Sequence, residues 1–311
     1  VGGQVLNITV SVGVAEYPEA ATSALELINC AEIVMFKGKS MGKNRIQYFD
    51  TPILNDFLKN VELDSKLKEA VFENNFLLYY QPQYYAGNRK LRGVEALIRW
   101  NSGELGLIPP ADFIPLAEYL GLINPIGEFV LREACIHCKY WNDMGHPEYK
   151  VNVNLSVVQL LQNDIVERIA RVIEETRITP QNLTLEVTES LAVNDMSRMK
   201  RILADIRHLG VRVALDDFGT GYSSLNHIRE MPIDVIKIDR CFIIDIGKDD
   251  FSNAFVKMVG ELATAIHVNV CVEGVETKEQ LDALVGSKVQ LIQGFYFGKP
   301  MKAEMFERQY L

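Results

Sequence analysis

From Phe76 onward the chain alternates two kinds of segment: short runs rich in β-branched and aromatic residues, and longer stretches with apolar residues three and four positions apart. Extended strands that alternate with helices can bury both kinds of apolar face only as a parallel sheet covered by helices, the α/β class. The runs start at Phe76 (FLLYYQPQ), Leu91 (LRGVEALIRW), Tyr149 (YKVNVNLS), Leu183 (LTLEVTES), Val211 (VRVALDDFG), Asp234 (DVIKID), Asn269 (NVCVEGVE) and Val289 (VQLIQGF). Helical patterns lie between them, among them 164–175, 195–209 and 252–266. Eight strands over roughly 230 residues have the size of a TIM-type barrel. The first connection, AGNRK, is too short to carry a crossover helix and reads as a hairpin. The expected fold is therefore a modified TIM-type (β/α)8 barrel with an antiparallel first strand.

The first 50 residues have a different pattern: a strand in ITVSVGVA, an amphipathic helix over 20–37 and a second strand in NRIQYF. Such a fragment is too small to bury a core of its own. Pro52 breaks the chain and 56–74 reads as a helix leading into the barrel. The expected organisation is 1–50 as a fragment, 51–75 as a linker helix and 76–311 as the barrel.

Composition narrows the partners. With 32 Lys and Arg against 41 Asp and Glu, a net charge of -9 exerts no general pull on a nucleic acid polymer or an anionic membrane. Any phosphate ligand must be held locally. No apolar run is long enough to span a bilayer, and an odd, scattered set of five cysteines points to a reducing, cytoplasmic setting. Cys135 and Cys138 form a CxxC, but 129–141 has helical periodicity and no second ligand pair follows, so they read as small apolar residues on one helix face. The five histidines stand at no recognisable spacing from an acid or nucleophile and are expected on surfaces or at caps.

In a barrel of this type the chemistry sits at the C-terminal strand ends. Glu95 lies late in the second run and Asn154 ends the third; Glu186 and Glu189 end the fourth, Asp216 and Asp217 the fifth. Lys237 and Asp239 end the sixth, Glu273 and Glu276 the seventh, and Gln293 the eighth. Each alone is an ordinary strand-end residue. Together they would converge on one rim, where the acids cannot all remain ionised without cations. A pair of divalent ions resolves that conflict, and a donor set of oxygens without His or Cys favours Mg²⁺ or Mn²⁺. Such a pair suits phosphodiester hydrolysis. Lys237 would orient water or neutralise charge, unless it is simply a buried ion pair with Asp216 or Asp239, and Arg99 could clamp a phosphate oxygen.

The ordered motifs YYQPQ, VEALIRW, FIPLAEYLGLI, VNLS, LEVTES, DDFGTGYSSL, VIKIDR, VEGVET and IQGFYFGKP resemble those of the EAL domains that hydrolyse cyclic di-GMP. Short singly, they are specific as an ordered set. The resemblance implies that Glu95, Asn154, Glu186, Asp216 and Asp217 hold two metal ions, with Glu273 close to them or their waters. It implies that Lys237 activates the nucleophilic water, that Arg99 and Gln293 contact the ligand, that Glu189 steadies the loop DFGTGYSSL, and that Glu276 belongs to the catalytic set. The product would be linear pGpG. A homodimer formed through the loop and helix after Asp217 is also implied. The alternative is a non-catalytic receptor for the dinucleotide; a third reading, an unrelated metal-dependent barrel phosphodiesterase, would need every motif to match by accident. ITVSVGVA and KGKSMGKNRIQYFD are similar to the tail of a GGDEF diguanylate cyclase domain, without its signature loop. The chain thus reads as a cytoplasmic piece of a longer bacterial regulator, with a sensor or membrane anchor among the parts that could precede it.

Overall fold

A computed structural model describes residues 9–21, 23–40, 44–50, 63–189, 196–220 and 225–311. The chain divides into two compact units, Val1–Phe72 and Glu73–Leu311. In the first, β1 (Val12–Val14) pairs in parallel with β2 (Ile46–Tyr48), and α1 (Ala24–Ser40) connects them. The helix expected over 56–74 is described from residue 63: α2 (63–73) buries Leu63, Leu67 and Ala70, one stripe at helical spacing. Residues 51–62 lie outside the described residues.

The second unit opens with the expected hairpin. β3 (Phe76–Tyr85) runs antiparallel to β4 (Leu91–Asn101), and the register slips between Gln83 and Tyr84. After the short β5 (Leu107–Ile108), α3 (Pro110–Tyr119) and α4 (Ile123–Asp143) lead to β6 (Lys150–Asn154). α5 (Val157–Leu160) and α6 (Ile165–Thr176) precede β7 (Leu183–Thr188), and α7 (Met196–His208) precedes β8 (Arg212–Phe218). α8 (Leu225–Glu230), β9 (Val235–Ile238), α9 (Asp250–Ala265), β10 (Asn269–Val272), α10 (Lys278–Ala283), β11 (Leu291–Gln293), β12 (Met301–Lys302) and α11 (Ala303–Tyr310) complete the unit.

Hydrogen bonding orders the strands β3-β11-β10-β9-β8-β7-β6-β4, and the β3–β4 pairing closes the ring. All eight strands expected from the sequence are present, and β3 is antiparallel to both of its barrel neighbours. Closure depends on close approach at Gly93, where an added Cβ would lie 2.0 Å from the Lys150 carbonyl oxygen of β6.

Inside the barrel the strand period of two sorts residues into layers. Ala214, Val235, Cys271 and Leu291 form one buried apolar cluster. Each stands two residues before Asp216, Lys237, Glu273 and Gln293 respectively, so the polar groups form the next layer toward the C-terminal strand ends. Outside, the helices cover the sheet as amphipathic stripes: Ile165, Ile169 and Val172 of α6 are buried, as are Val256, Val259 and Ala263 of α9.

The CxxC lies on α4, with both thiols fully buried among that helix's apolar residues. Burial pushes the Cys135 thiol up beyond any working range and Cys138 up to about 12. His137 departs from the surface role expected of it. Its Nδ1 shares a hydrogen bond with the Tyr80 hydroxyl, and its ring stacks on Trp141 at 6.0 Å, because the α4 face between the two cysteines turns toward β3.

Candidate active site

Lys237 is the centre of the site. Strand β9 is buried along its whole length, so the side chain points into the barrel with only 1% of the residue exposed. Four carboxylates surround the ammonium: Nζ stands 2.6 Å from Glu186 Oε2, 2.6 Å from Glu273 Oε1, 3.1 Å from Asp216 Oδ1 and 3.6 Å from Glu95 Oε2. They come from β7, the end of β10, β8 and β4, so only the closed barrel brings them together. The expected ion pair with Asp216 is present, as one of four. Burial pulls the ammonium down, but Asp216, Glu186, Glu273 and Glu95 outweigh it and hold Lys237 well above the ordinary lysine range.

One cation does not balance four acids. Burial first, then Glu95, holds Glu186 well above the carboxylate range. Burial likewise raises Glu273 to about 8, against the pull of Lys237. Glu95 goes the other way, because Lys237 and the amides of Gln293 and Asn154 overcome the cost of its burial. Asn154 Nδ2 donates to Glu95 Oε1 at 2.8 Å, and Gln293 Nε2 donates to Glu95 Oε2 at 2.7 Å.

Asp216 and Asp217 occupy a slip in the β8–β9 register between Leu215 and Phe218. Asp217 takes the left-handed conformation at φ 55°, and its N–H donates to Asp216 Oδ1 at 3.0 Å. The irregularity turns two adjacent acids toward one mouth, where a regular strand would send them to opposite faces. Burial, then Asp216 and Asp239, raises the Asp217 carboxyl. The buried Glu189 accepts from the Gly219 N–H at 2.8 Å and donates its own N–H to the Asp216 carbonyl at 3.0 Å. At Gly219 (φ 100°) an added Cβ would meet the Phe255 and Phe242 rings at 2.5 and 2.6 Å. Residues 221–224 of that loop lie outside the described residues.

Two expected site residues stand apart from the carboxylate cluster. Arg99, one turn of the strand period beyond Leu97 on the Glu95 face, lies over the Tyr79 ring at 5.5 Å and donates to the Ile98 carbonyl at 2.7 Å. Glu276 is half exposed on the rim and pairs with Arg240 at 3.3 Å. It does share a cleft of about 240 Å³ with Gln81, Glu95, Glu273, Gln293 and Phe295. A second, largely apolar cavity of about 630 Å³ opens beside it between β4, α3 and α5, and reaches Asn154 and Glu186.

Oxygen donors alone line the cluster. Among the described residues no three His, Cys, Asp or Glu side chains form a ready coordination cage. Four of the acids lie around the lysine ammonium, their nearest cation. The excess of acid and the raised Glu186 and Glu273 fit a site that takes further positive charge, and the donors suit hard cations.

A family model for the EAL domain matches residues 64–300. The chain belongs to the EAL domain family. The bifunctional diguanylate cyclase/cyclic di-GMP phosphodiesterase MucR of Pseudomonas aeruginosa is 37% identical over 299 residues, 96% of this chain and 44% of that protein. The cyclic di-GMP phosphodiesterase PdeR of Escherichia coli K12 is 36% identical over 301 residues, 96% of this chain and 45% of that protein. The chain thus spans less than half the length of these relatives. Among solved structures, the PaMucR phosphodiesterase in complex with c-di-GMP superposes with a TM-score of 0.76 at 39% identity, covering 79% of this chain and 99% of that one. The EAL enzyme Bd1971, in a form with cAMP and cyclic di-GMP bound, gives 0.79 at 28% identity over 94% of this chain and 77% of its own.

Four residues that hold this EAL site together were not singled out from the sequence: Gln81, Gln83, Arg92 and Asn152. All are buried. The available signal was polarity at inward positions, since Gln81 and Gln83 share one face of β3 and Asn152 lies two residues before Asn154. Arg92 gave no such signal, because a bulge decides where it points.

Proposed function

We propose that this chain hydrolyses cyclic di-GMP to linear 5'-pGpG. The observation that carries the reading is the fully buried Lys237 ringed by Glu95, Glu186, Asp216 and Glu273 at the mouth of the barrel. Acids perturbed by burial and by a specific charge partner, gathered in a cleft, support a reacting centre.

Glu95, Asn154, Glu186, Asp216 and Asp217 would hold two divalent cations, Mg²⁺ or Mn²⁺. Such a pair, when bound, supplies the charge that acidifies a water and stabilises the oxygens of a phosphoryl displacement. Lys237 orients that water and offsets the acids when the pair is not bound. Glu273, whose carboxyl burial raises to about 8, stands 2.6 Å from Lys237 beside the same point and would exchange a proton there. Arg99 projects from the Glu95 face of β4 to meet a phosphate oxygen, and Gln293, whose amide is directed at Glu95, orients the ligand. Glu189 fixes the start of the loop after β8 through the Gly219 N–H, and Glu276 with Arg240 forms the outer wall of the cleft. The loop and helix after Asp217 pair two copies. Residues 1–50 are the tail of a GGDEF domain and 51–75 a linker to the barrel, within a cytoplasmic segment of a longer regulator.

The test is chromatographic detection of pGpG from cyclic di-GMP in Mg²⁺ or Mn²⁺. Stoichiometric release sustains the reading. Binding of cyclic di-GMP without pGpG, in either metal and with the dimer formed, makes the chain a receptor.

A further inference from the structure

Arg92 lies inside the barrel with 2% of its surface exposed, although the alternation of β4 assigns it the outer face: Glu95 points inward, so residues 94 and 92 should point out. The β3–β4 register pairs Gln83 with Gly93 and Tyr84 with Leu91, which leaves Arg92 as the extra residue of a bulge. The bulge turns its guanidinium into the interior. There Nη1 donates to Gln83 Oε1 at 2.9 Å and to Asn152 Oδ1 at 3.0 Å. Nη2 has no hydrogen-bond partner among the described residues.

Each amide so fixed points its NH₂ group at the site. Asn152 Nδ2 donates to Glu186 Oε1 at 2.7 Å. Gln83 Nε2 donates to Gln293 Oε1 at 2.6 Å, and Gln293 Nε2 donates in turn to Glu95 Oε2 at 2.7 Å. An amide can face either way, but a guanidinium only donates, so both amide oxygens must face Arg92 and both NH₂ groups must face away. Two relays therefore leave one cation and end on two carboxylates: Lys237 contacts Glu186 through its other oxygen, Oε2, and stands 3.6 Å from the same Glu95 Oε2 that Gln293 reaches.

We propose that Arg92 is a positioning residue for the catalytic centre: a buried cation below the acidic layer that sets the direction of the relays Asn152–Glu186 and Gln83–Gln293–Glu95, and so aims the oxygens of two metal-binding carboxylates. This rests on the hydrolytic reading above and adds a residue to it. Outer partners that orient ligating carboxylates contribute about 10- to 100-fold to metal affinity or turnover.

The experiment uses the full chain, four single variants (Arg92→Met, Arg92→Lys, Gln83→Met and Asn152→Leu) and the two double variants that combine Arg92→Met with either relay substitution. Mn²⁺ binding is read by EPR without substrate, turnover by pGpG release, and folding by the thermal transition. In Arg92→Met, kcat should fall about tenfold or more and the Mn²⁺ half-saturation rise by a similar factor, with KM for cyclic di-GMP within about twofold. Arg92→Lys should recover part of both losses. Gln83→Met and Asn152→Leu should each show a smaller loss, and combining either with Arg92→Met should add little, because the relay is already undirected. A purely structural Arg92 predicts a lower melting temperature with kcat per folded molecule and Mn²⁺ half-saturation unchanged, and that result overturns the proposal. So does full additivity of the double variants. Should Arg92→Met fail to fold, the two relay variants decide: kcat and Mn²⁺ half-saturation within twofold of the parent in both refute it. If the parent itself releases no pGpG, the hydrolytic reading fails, and the Mn²⁺ shift across the variants still decides the role of Arg92.

Discussion

Replacing Glu273 by Gln tests the electrostatics of the site through stability. Burial, then Asp216 and Glu95, carries the Glu273 carboxyl from 4.5 to about 8, while Lys237 opposes it. The folded state therefore keeps a proton that the unfolded chain releases between pH 4.5 and pH 8, and folding stability falls as pH rises through that window. At about 1.4 kcal/mol per unit the full effect approaches 5 kcal/mol, and relaxation of neighbouring acids should leave roughly half of it. Gln mimics the protonated carboxyl at every pH. In EDTA, urea unfolding between pH 5 and pH 9 should show a falling free energy for the parent and a decline about 2 to 3 kcal/mol shallower for Glu273→Gln. Mn²⁺ should flatten the parent's profile, because added positive charge removes the reason to hold the proton. Parallel pH profiles for parent and variant in EDTA would refute the reasoning.

Four further outcomes are expected. Asp216→Asn should lower pGpG release by at least about 100-fold and weaken Mn²⁺ binding, both measured on the folded variant. Calcium in place of Mg²⁺ should leave cyclic di-GMP binding intact by calorimetry and abolish turnover, since its longer bonds and looser geometry misplace and poorly acidify a water. Sedimentation should find a homodimer, and a fully active monomer at high concentration would remove the proposed role of the loop after Asp217. In native protein at pH 8 the thiols of Cys30, Cys135, Cys138 and Cys271, all buried, should resist Ellman's reagent, and the exposed Cys241 should react slowly because burial and Asp239 raise it to about 11; all five should react in urea.

The sequence by itself determined the strand count, the antiparallel first strand and the rim residues. Strand and helix periods are local, a five-residue connection cannot hold a crossover helix, and residues at strand ends share one face of a parallel barrel whatever its detailed packing. It also placed Lys237 among acids, though it offered Asp216 or Asp239 where the fold brings four carboxylates. Three things required the tertiary structure. The conflict among Glu95, Glu186 and Glu273 depends on burial and on side chains from strands far apart in sequence, which lower one acid and raise the other two. Arg99 and Glu276 stand at the rim, outside the cluster, because strand length and rim pairing, not motif membership, set their reach. Arg92 and Asp217 take their directions from a bulge and a register slip, which arise when two strands of unequal count are forced to pair. A period of two predicts a face only while the pairing stays regular; where it breaks, the barrel's closure decides which side chains reach the site.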